Sequence, residues 1–234
     1  MNDPINKDTR PVEGDRPPAK AGGKFFWVLG ALCLLSIAGH LAALPFLPDT
    51  VPCHWGINGE VDGWMSKYVN LLTGLLPLGL LLLFRFLPAM EPKREVYTRH
   101  ARLWHGFVVV MTVFLIAITW MTECTVWGLF GNFNVSSFVF VAVGIVLIAL
   151  GNYMPKIGQN YTFGCKTPWA LADEHCWHRT QRMGGFVFVG AGTITLICAL
   201  LPTMAAFAVM MTAILGGTLW IFAYSFLVFK GKMK

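Results

Sequence analysis

Long apolar blocks alternate with short polar segments along this chain. The blocks fall at about 25–47, 68–90, 104–130, 134–154, 184–202 and 203–229. Crossing the hydrocarbon core as a helix takes roughly 20 apolar residues, and each block is near that length. The last two form one run broken only at Leu201-Pro202-Thr203. That run is too long for one helix and fits two joined by a tight turn. Backbone groups facing lipid must bond within their own segment, so each block is helical. The pattern predicts an all-α integral membrane protein with six transmembrane helices.

Composition agrees with this. Of 234 residues, 56% are hydrophobic and 13% charged, against about 25% charged in an ordinary soluble domain. The charges also set an orientation, because cytoplasmic segments near spans collect Lys and Arg. The loop at 48–67 holds only Lys67, and the turn at 131–134 holds none. The other basic residues lie in the two tails and in the loops at 91–103 and 155–183, except Arg85 near the inner end of its span. Both termini are therefore expected in the cytoplasm. The net charge of +6 reads as a topology signal rather than a nucleic-acid footprint, and no direct nucleic-acid partner is expected. The first block follows basic residues, as a signal peptide would, but it is too long and lacks a small-residue cleavage site. It reads as a retained anchor. Of six cysteines, only Cys53 falls on the outer side in a loop, which argues against a disulfide framework.

The chain divides into a polar tail at 1–24 expected to be disordered, a first helix pair at 25–90 enclosing the external loop 48–67, spans three and four within 91–154, a cytoplasmic loop at 155–183, and spans five and six within 184–234. In the external loop, Asn58-Gly59 is a strong turn signal, because both residues tolerate positive φ, and the chain is expected to fold back there as a hairpin. Trp55 and Trp64 suit the headgroup level. Three readings stay open for this loop: a hairpin pinned to the membrane surface, a ligand-contact surface built from His54, Trp55, Asn58, Gly59, Asp62, Trp64 and Lys67, and a cation site using His54, Glu60 and Asp62.

The cytoplasmic loop carries Asn152, Asn160, Gly164, Lys166-Thr167-Pro168-Trp169 and Trp177. Thr167-Pro168 reads as an N-cap followed by the first helical residue. Gly184-Gly185 reads as a helix stop. Trp169, Ala172, Cys176, Thr180 and Met183 form one stripe with Trp177 at its edge, which predicts a short amphipathic helix on the inner membrane face. That helix either only connects spans four and five or docks a cytoplasmic partner. The spacing of Cys165, His175, Cys176 and His178 matches no strong zinc pattern, so no metal and no cofactor is expected.

Two ionisable residues sit inside spans, His40 in the first and Glu123 in the third, at similar depth toward the outer side. Such groups are costly in a membrane and usually partnered, so a His40–Glu123 contact is expected. The chain lacks G-x-S-x-G, H-E-x-x-H and P-loop motifs, which argues against an enzyme. A transporter with interrupted helices finds weak markers in Pro77, Gly79 and Gly216-Gly217, which serve helix packing equally well.

The stretch from Leu47 to Lys67, with His54, Asn58-Gly59, Asp62 and Lys67, resembles the small domain of unknown function that opens many bacterial membrane proteins. The stretch from Gly151-Asn152-Tyr153 through Asn160, Gly164, Lys166-Thr167-Pro168-Trp169 and Trp177 to Gly185 resembles the hallmark of the SdpI family, which usually has Arg where Lys166 stands. The resemblance spans roughly 25–229. It implies a multi-pass protein of the bacterial cytoplasmic membrane that gives immunity to a secreted peptide toxin. It also implies a cytoplasmic role, since the founding member of the family sequesters a transcriptional repressor at the membrane. The lipid bilayer, a toxin outside and a repressor inside are thus the expected partners, with the external loop contacting the first and the residues from Asn152 to Trp177 contacting the last.

Overall fold

The computed structural model describes residues 23–57, 59–93, 95–131 and 135–233. The expected disordered tail lies outside these residues, except that Gly23 and Lys24 already begin the first helix. Asn58 also lies outside them. Among the described residues, six helical segments are long and apolar enough to cross a membrane: Gly23–Phe46, Lys67–Met90, Ala101–Val126, Val135–Lys156, Glu174–Cys198 and Thr203–Phe229. The protein is an all-α multi-pass membrane protein.

Helix α1 (Gly23–Ala43) leads through a 3-10 turn into strands β1 (Thr50–Trp55) and β2 (Val61–Ser66), which pair antiparallel. Gly59, at φ +83°, supplies the left-handed turn residue that a non-glycine would adopt at a cost. Ser66 caps α2 (Lys67–Thr73) by accepting from Tyr68 N at 3.3 Å. Helix α3 (Leu76–Met90) completes span two, and α4 (Glu95–Arg99) follows. Helices α5 (Ala101–Thr119) and α6 (Met121–Val126) form span three with a break at Trp120. Span four is α7 (Val135–Tyr153) with a 3-10 turn to Lys156. A single turn, α8 (Pro168–Ala172), precedes α9 (Glu174–Cys198) and α10 (Thr203–Phe229), the last two spans.

Helices α7 and α9 form the most extensive helix pair, and glycine is the reason. A Cβ on Gly151 would stand 2.8 Å from the Gly185 carbonyl oxygen, and one on Gly185 equally close to that of Gly151. Gly144 and Gly192 repeat the contact two turns further on, at 2.9 and 2.7 Å. Small residues let membrane helices approach until their backbones touch. Gly217 faces Val187 of α9, whereas Gly216 meets nothing.

This contact corrects one boundary. Gly184-Gly185 does not stop a helix. Helix α9 runs unbroken from Glu174 through both glycines to Cys198, because Gly185 lies against α7 and its neighbouring peptide groups stay in the helical ladder. The expected separate amphipathic helix is therefore the first turns of span five plus the single turn α8. Its stripe turns inward: Cys176, Trp177 and Thr180 are fully buried against α10 and the preceding loop, although Ala172 is exposed.

The outward faces are apolar. Leu34, Leu35, Leu82, Leu83, Leu215 and Leu219 are all exposed, as lipid-facing side chains are where the hydrocarbon is the solvent. Alternation of the six spans puts the β-hairpin at one end of the bundle and the 157–173 loop at the other.

Candidate functional site

Two polar constellations stand out, one at each end. At the hairpin end, α1, α2 and α6 each contribute one buried side chain. His40 Nδ1 lies 2.7 Å from Glu123 Oε1, and Asn70 Nδ2 donates to the same oxygen at 2.8 Å. The contact expected between spans one and three is present, with Asn70 as a third member. His40 stacks on the Trp120 indole at 4.5 Å between centroids and 23°, and Trp120 Nε1 donates to Ser36 Oγ at 2.8 Å. Gly74 makes room for the imidazole, since a Cβ there would stand 2.6 Å from His40 Cδ2. His40 Nε2, Asn70 Oδ1 and Glu123 Oε2 are buried with no hydrogen-bond partner among the described residues. Asn70 was legible only as one polar residue at the edge of an apolar block. Trp120 and Ser36 carried no signal in sequence beyond membrane composition.

The hairpin sits directly on this cluster. Thr122, next to Glu123 in α6, donates from Oγ1 to the Pro52 carbonyl at 3.0 Å, and Val51 is wholly buried beneath the strand. Lys67 Nζ lies 3.0 Å from Asp49 Oδ1, which ties the hairpin's base. His54 Nδ1 and Asp62 Oδ1 meet at 2.5 Å across the two strands with both side chains largely exposed. Trp55 is half-buried and Trp64 is 62% exposed. The sequence-derived ligand set is thus brought together on one hairpin, Asn58 lying outside the described residues. Among the described residues, no three His, Cys, Asp or Glu side chains stand together as a metal site requires.

At the opposite end, the 157–173 loop is folded inward onto spans two, five and six. Thr167 Oγ accepts from Ala170 N at 3.1 Å as the cap of α8, with Pro168 first in the helix. The Thr167 hydroxyl also meets Ser225 Oγ of α10 at 2.5 Å, and Thr180 donates to that same oxygen at 3.0 Å. Asn160 Oδ1 accepts from Thr162 N and Phe163 N, both at 2.8 Å. Gln181 takes Cys165 N and returns a bond to Cys165 O, both 3.0 Å, as a strand partner would. Gly164, at φ +105°, lies so close that a Cβ would stand 2.8 Å from Gln181 Oε1. Trp177 donates from Nε1 to Ile157 O at 2.8 Å.

Glu91, at the end of span two, is buried and holds the loop from the far side. It accepts from Lys93 N and Tyr161 N at 3.2 Å and from the Thr162 hydroxyl. Burial pushes the neighbouring Tyr97 phenol above its ordinary range. Burial pushes the Cys165 thiol up to about 11, so this thiol is a poor nucleophile. Sequence reasoning missed Glu91, Gln181 and Ser225, because each acts through a partner far along the chain.

Of the residues expected to face a cytoplasmic partner, Asn160, Thr167 and Trp177 are buried, and Gly164 and Trp169 are half-buried, the Trp169 ring 5.1 Å from that of Phe226. Asn152, Lys166 and Pro168 are exposed. Asn152 bonds back to Ile148 O at 2.8 Å, and Lys166 Nζ reaches Thr162 O at 2.9 Å. Most of the set builds the loop.

The fold and its two ends define a six-span α-helical membrane protein with a β-hairpin at one end and a packed helical loop at the other. Residues 156–226 match the SdpI/YfhL protein family, and residues 31–81 match a domain of unknown function, DUF1648. The chain thus carries an SdpI segment preceded by a DUF1648 segment, in the order the two loop resemblances implied. It is 23% identical to "Immunity protein SdpI" of Bacillus subtilis (strain 168) over 160 residues, 68% of this chain and 74% of that protein. No solved structure matches the chain significantly.

Proposed function

We propose that the protein is an immunity protein of the bacterial plasma membrane that protects its cell from a secreted antimicrobial peptide or toxin. The observation that carries this reading is the similarity to an immunity protein across 68% of the chain. The protein acts by binding rather than by catalysis. Its hairpin faces outward and both termini face the cytoplasm, since the hairpin loop holds a single lysine while the opposite end collects the basic residues. The ligand contacts are on the hairpin around His54, Trp55, Asp62 and Trp64.

A signalling role by repressor capture has its place on the cytoplasmic end. The surface available to a repressor there is Asn152, Tyr161, Lys166, Pro168, His175 and Arg182, all exposed, and not the buried Trp177.

The test is survival. A sensitive bacterium with and without the protein is challenged with a panel of secreted peptides. Protection against at least one is expected, and equal killing across the panel by every member would end the reading. A reporter fused after Lys234 is expected to behave as cytoplasmic. A membrane-impermeant maleimide should label Cys53, which is exposed, on intact cells.

A further inference from the structure

The two edges of the hairpin are not equivalent. Lys67 N donates to Asp49 O at 3.1 Å, so residues 49 and 67 form a hydrogen-bonded pair. Bonded and non-bonded pairs alternate in an antiparallel ladder. Val51 and Met65 are therefore the next bonded pair, and Pro52 and Trp64 are a non-bonded pair whose backbone groups point away from each other. On the β1 side, Pro52 has no N–H, and its carbonyl already accepts from Thr122 Oγ1 at 3.0 Å. That edge is closed by α6. On the β2 side, Trp64 turns both its N–H and its C=O away from β1, and among the described residues no other element bonds to them.

An open strand edge is a template for another strand. The chemistry around this one selects its occupant. The hairpin segment carries three carboxylates, Asp49, Glu60 and Asp62, against one lysine, Lys67. Asp49 and Asp62 are exposed, and so is the Trp64 ring. Asp49 precedes β1 and is taken up by Lys67, so a strand laid along β2 meets the acidic segment of Glu60 and Asp62, the latter in contact with His54, with an exposed indole to cover its apolar side chains.

We propose that the outer edge of β2, centred on Trp64, binds an extended cationic peptide segment as a third strand. This deepens the immunity reading, on which the biological identity of the peptide rests, by naming how the hairpin recognises its ligand. Main-chain hydrogen bonds supply the contact, and the acidic groups select for positive charge.

The experiment uses the full chain in nanodiscs of phosphatidylcholine alone, so that lipid does not attract the probe. The probe is a short peptide of alternating Lys and Val, compared with a backbone N-methylated copy and with an alternating Glu and Val peptide. The Lys/Val peptide is expected to bind about tenfold or more tightly than either control. Trp64→Pro removes the outward N–H without touching a ladder bond and is expected to abolish that preference, while Trp64→Leu retains it. Equal binding of the N-methylated copy to the wild-type protein would overturn the strand edge without recourse to any variant. Preference for the Glu/Val peptide would overturn the cationic assignment. Protection of cells without peptide preference in nanodiscs would leave the immunity reading standing and remove this inference. Preference in nanodiscs without protection would do the reverse.

Discussion

At the loop end Glu91 accepts from Lys93 N, Tyr161 N and the Thr162 hydroxyl, whereas at the hairpin end Glu123 receives both of its donors, His40 and Asn70, on one oxygen. Both carboxylates are buried. The first is a hub whose donors include backbone groups of a loop that has no regular ladder of its own. The second joins three spans and leaves Glu123 Oε2, His40 Nε2 and Asn70 Oδ1 without a partner among the described residues. Buried polar groups cost free energy unless they are hydrogen-bonded. The two ends therefore hold their carboxylate differently, the loop end through several donors and the hairpin end through one oxygen, although Tyr97 Oη and Trp104 Nε1, which pack on Phe163 at the loop end, also lack a partner among the described residues.

The strongest way to break this comparison is at Trp177. Its side chain is wholly buried and bonded to Ile157 O, so Trp177→Ala is expected to cost about 3–5 kcal/mol of stability. Thermal unfolding of the purified protein measures this. Protection and any cytoplasmic partner capture should fall together with protein level. A normal midpoint with only partner capture lost would return Trp177 to the role of a docking residue.

Gly185→Ala comes next. The added Cβ would press on the Gly151 carbonyl oxygen at 2.8 Å and is expected to cost about 1–3 kcal/mol, whereas Gly216→Ala, with nothing nearby, should be neutral or mildly stabilising. Equal effects of the two, read by unfolding in detergent, would mean that α7 and α9 do not touch as described.

A double-mutant cycle on His40→Gln and Glu123→Gln sharpens the hairpin end. Side chains in direct contact couple by about 0.5–3 kcal/mol, and a coupling within that range is expected here. Additive losses would show that the two do not interact in the folded protein. The smallest effect is expected at the surface pair of His54 and Asp62. Although the atoms meet at 2.5 Å, both side chains are largely exposed and solvent screens them, so Asp62→Asn should change stability by less than about 1 kcal/mol. Its effect on survival under peptide challenge should be the larger one, and a stable variant with full protection would remove Asp62 from the ligand surface.

Much of this was readable in the linear chain. Six apolar blocks, each long enough to cross the hydrocarbon, dictate six helices, because lipid leaves the backbone no other partner. The Asn58-Gly59 turn dictated a hairpin, and Thr167-Pro168 the start of α8, because these signals act within a few residues of themselves. His40 and Glu123 announced each other because an ionisable side chain in a membrane needs a partner. What remained was decided by contacts between distant segments. Gly184-Gly185 reads locally as a stop, but the α7 backbone lying against Gly185 makes it a crossing point and carries α9 straight through. Trp177 and Asn160 read as a surface, yet Ile157 and the loop's own N–H groups claim them from inside. Glu91 carries no local signal for its role, because its partners Tyr161 and Thr162 lie some seventy residues away. Local chemistry determines which elements form. Which face of an element is interior depends on what arrives beside it, and only the packed molecule holds that information.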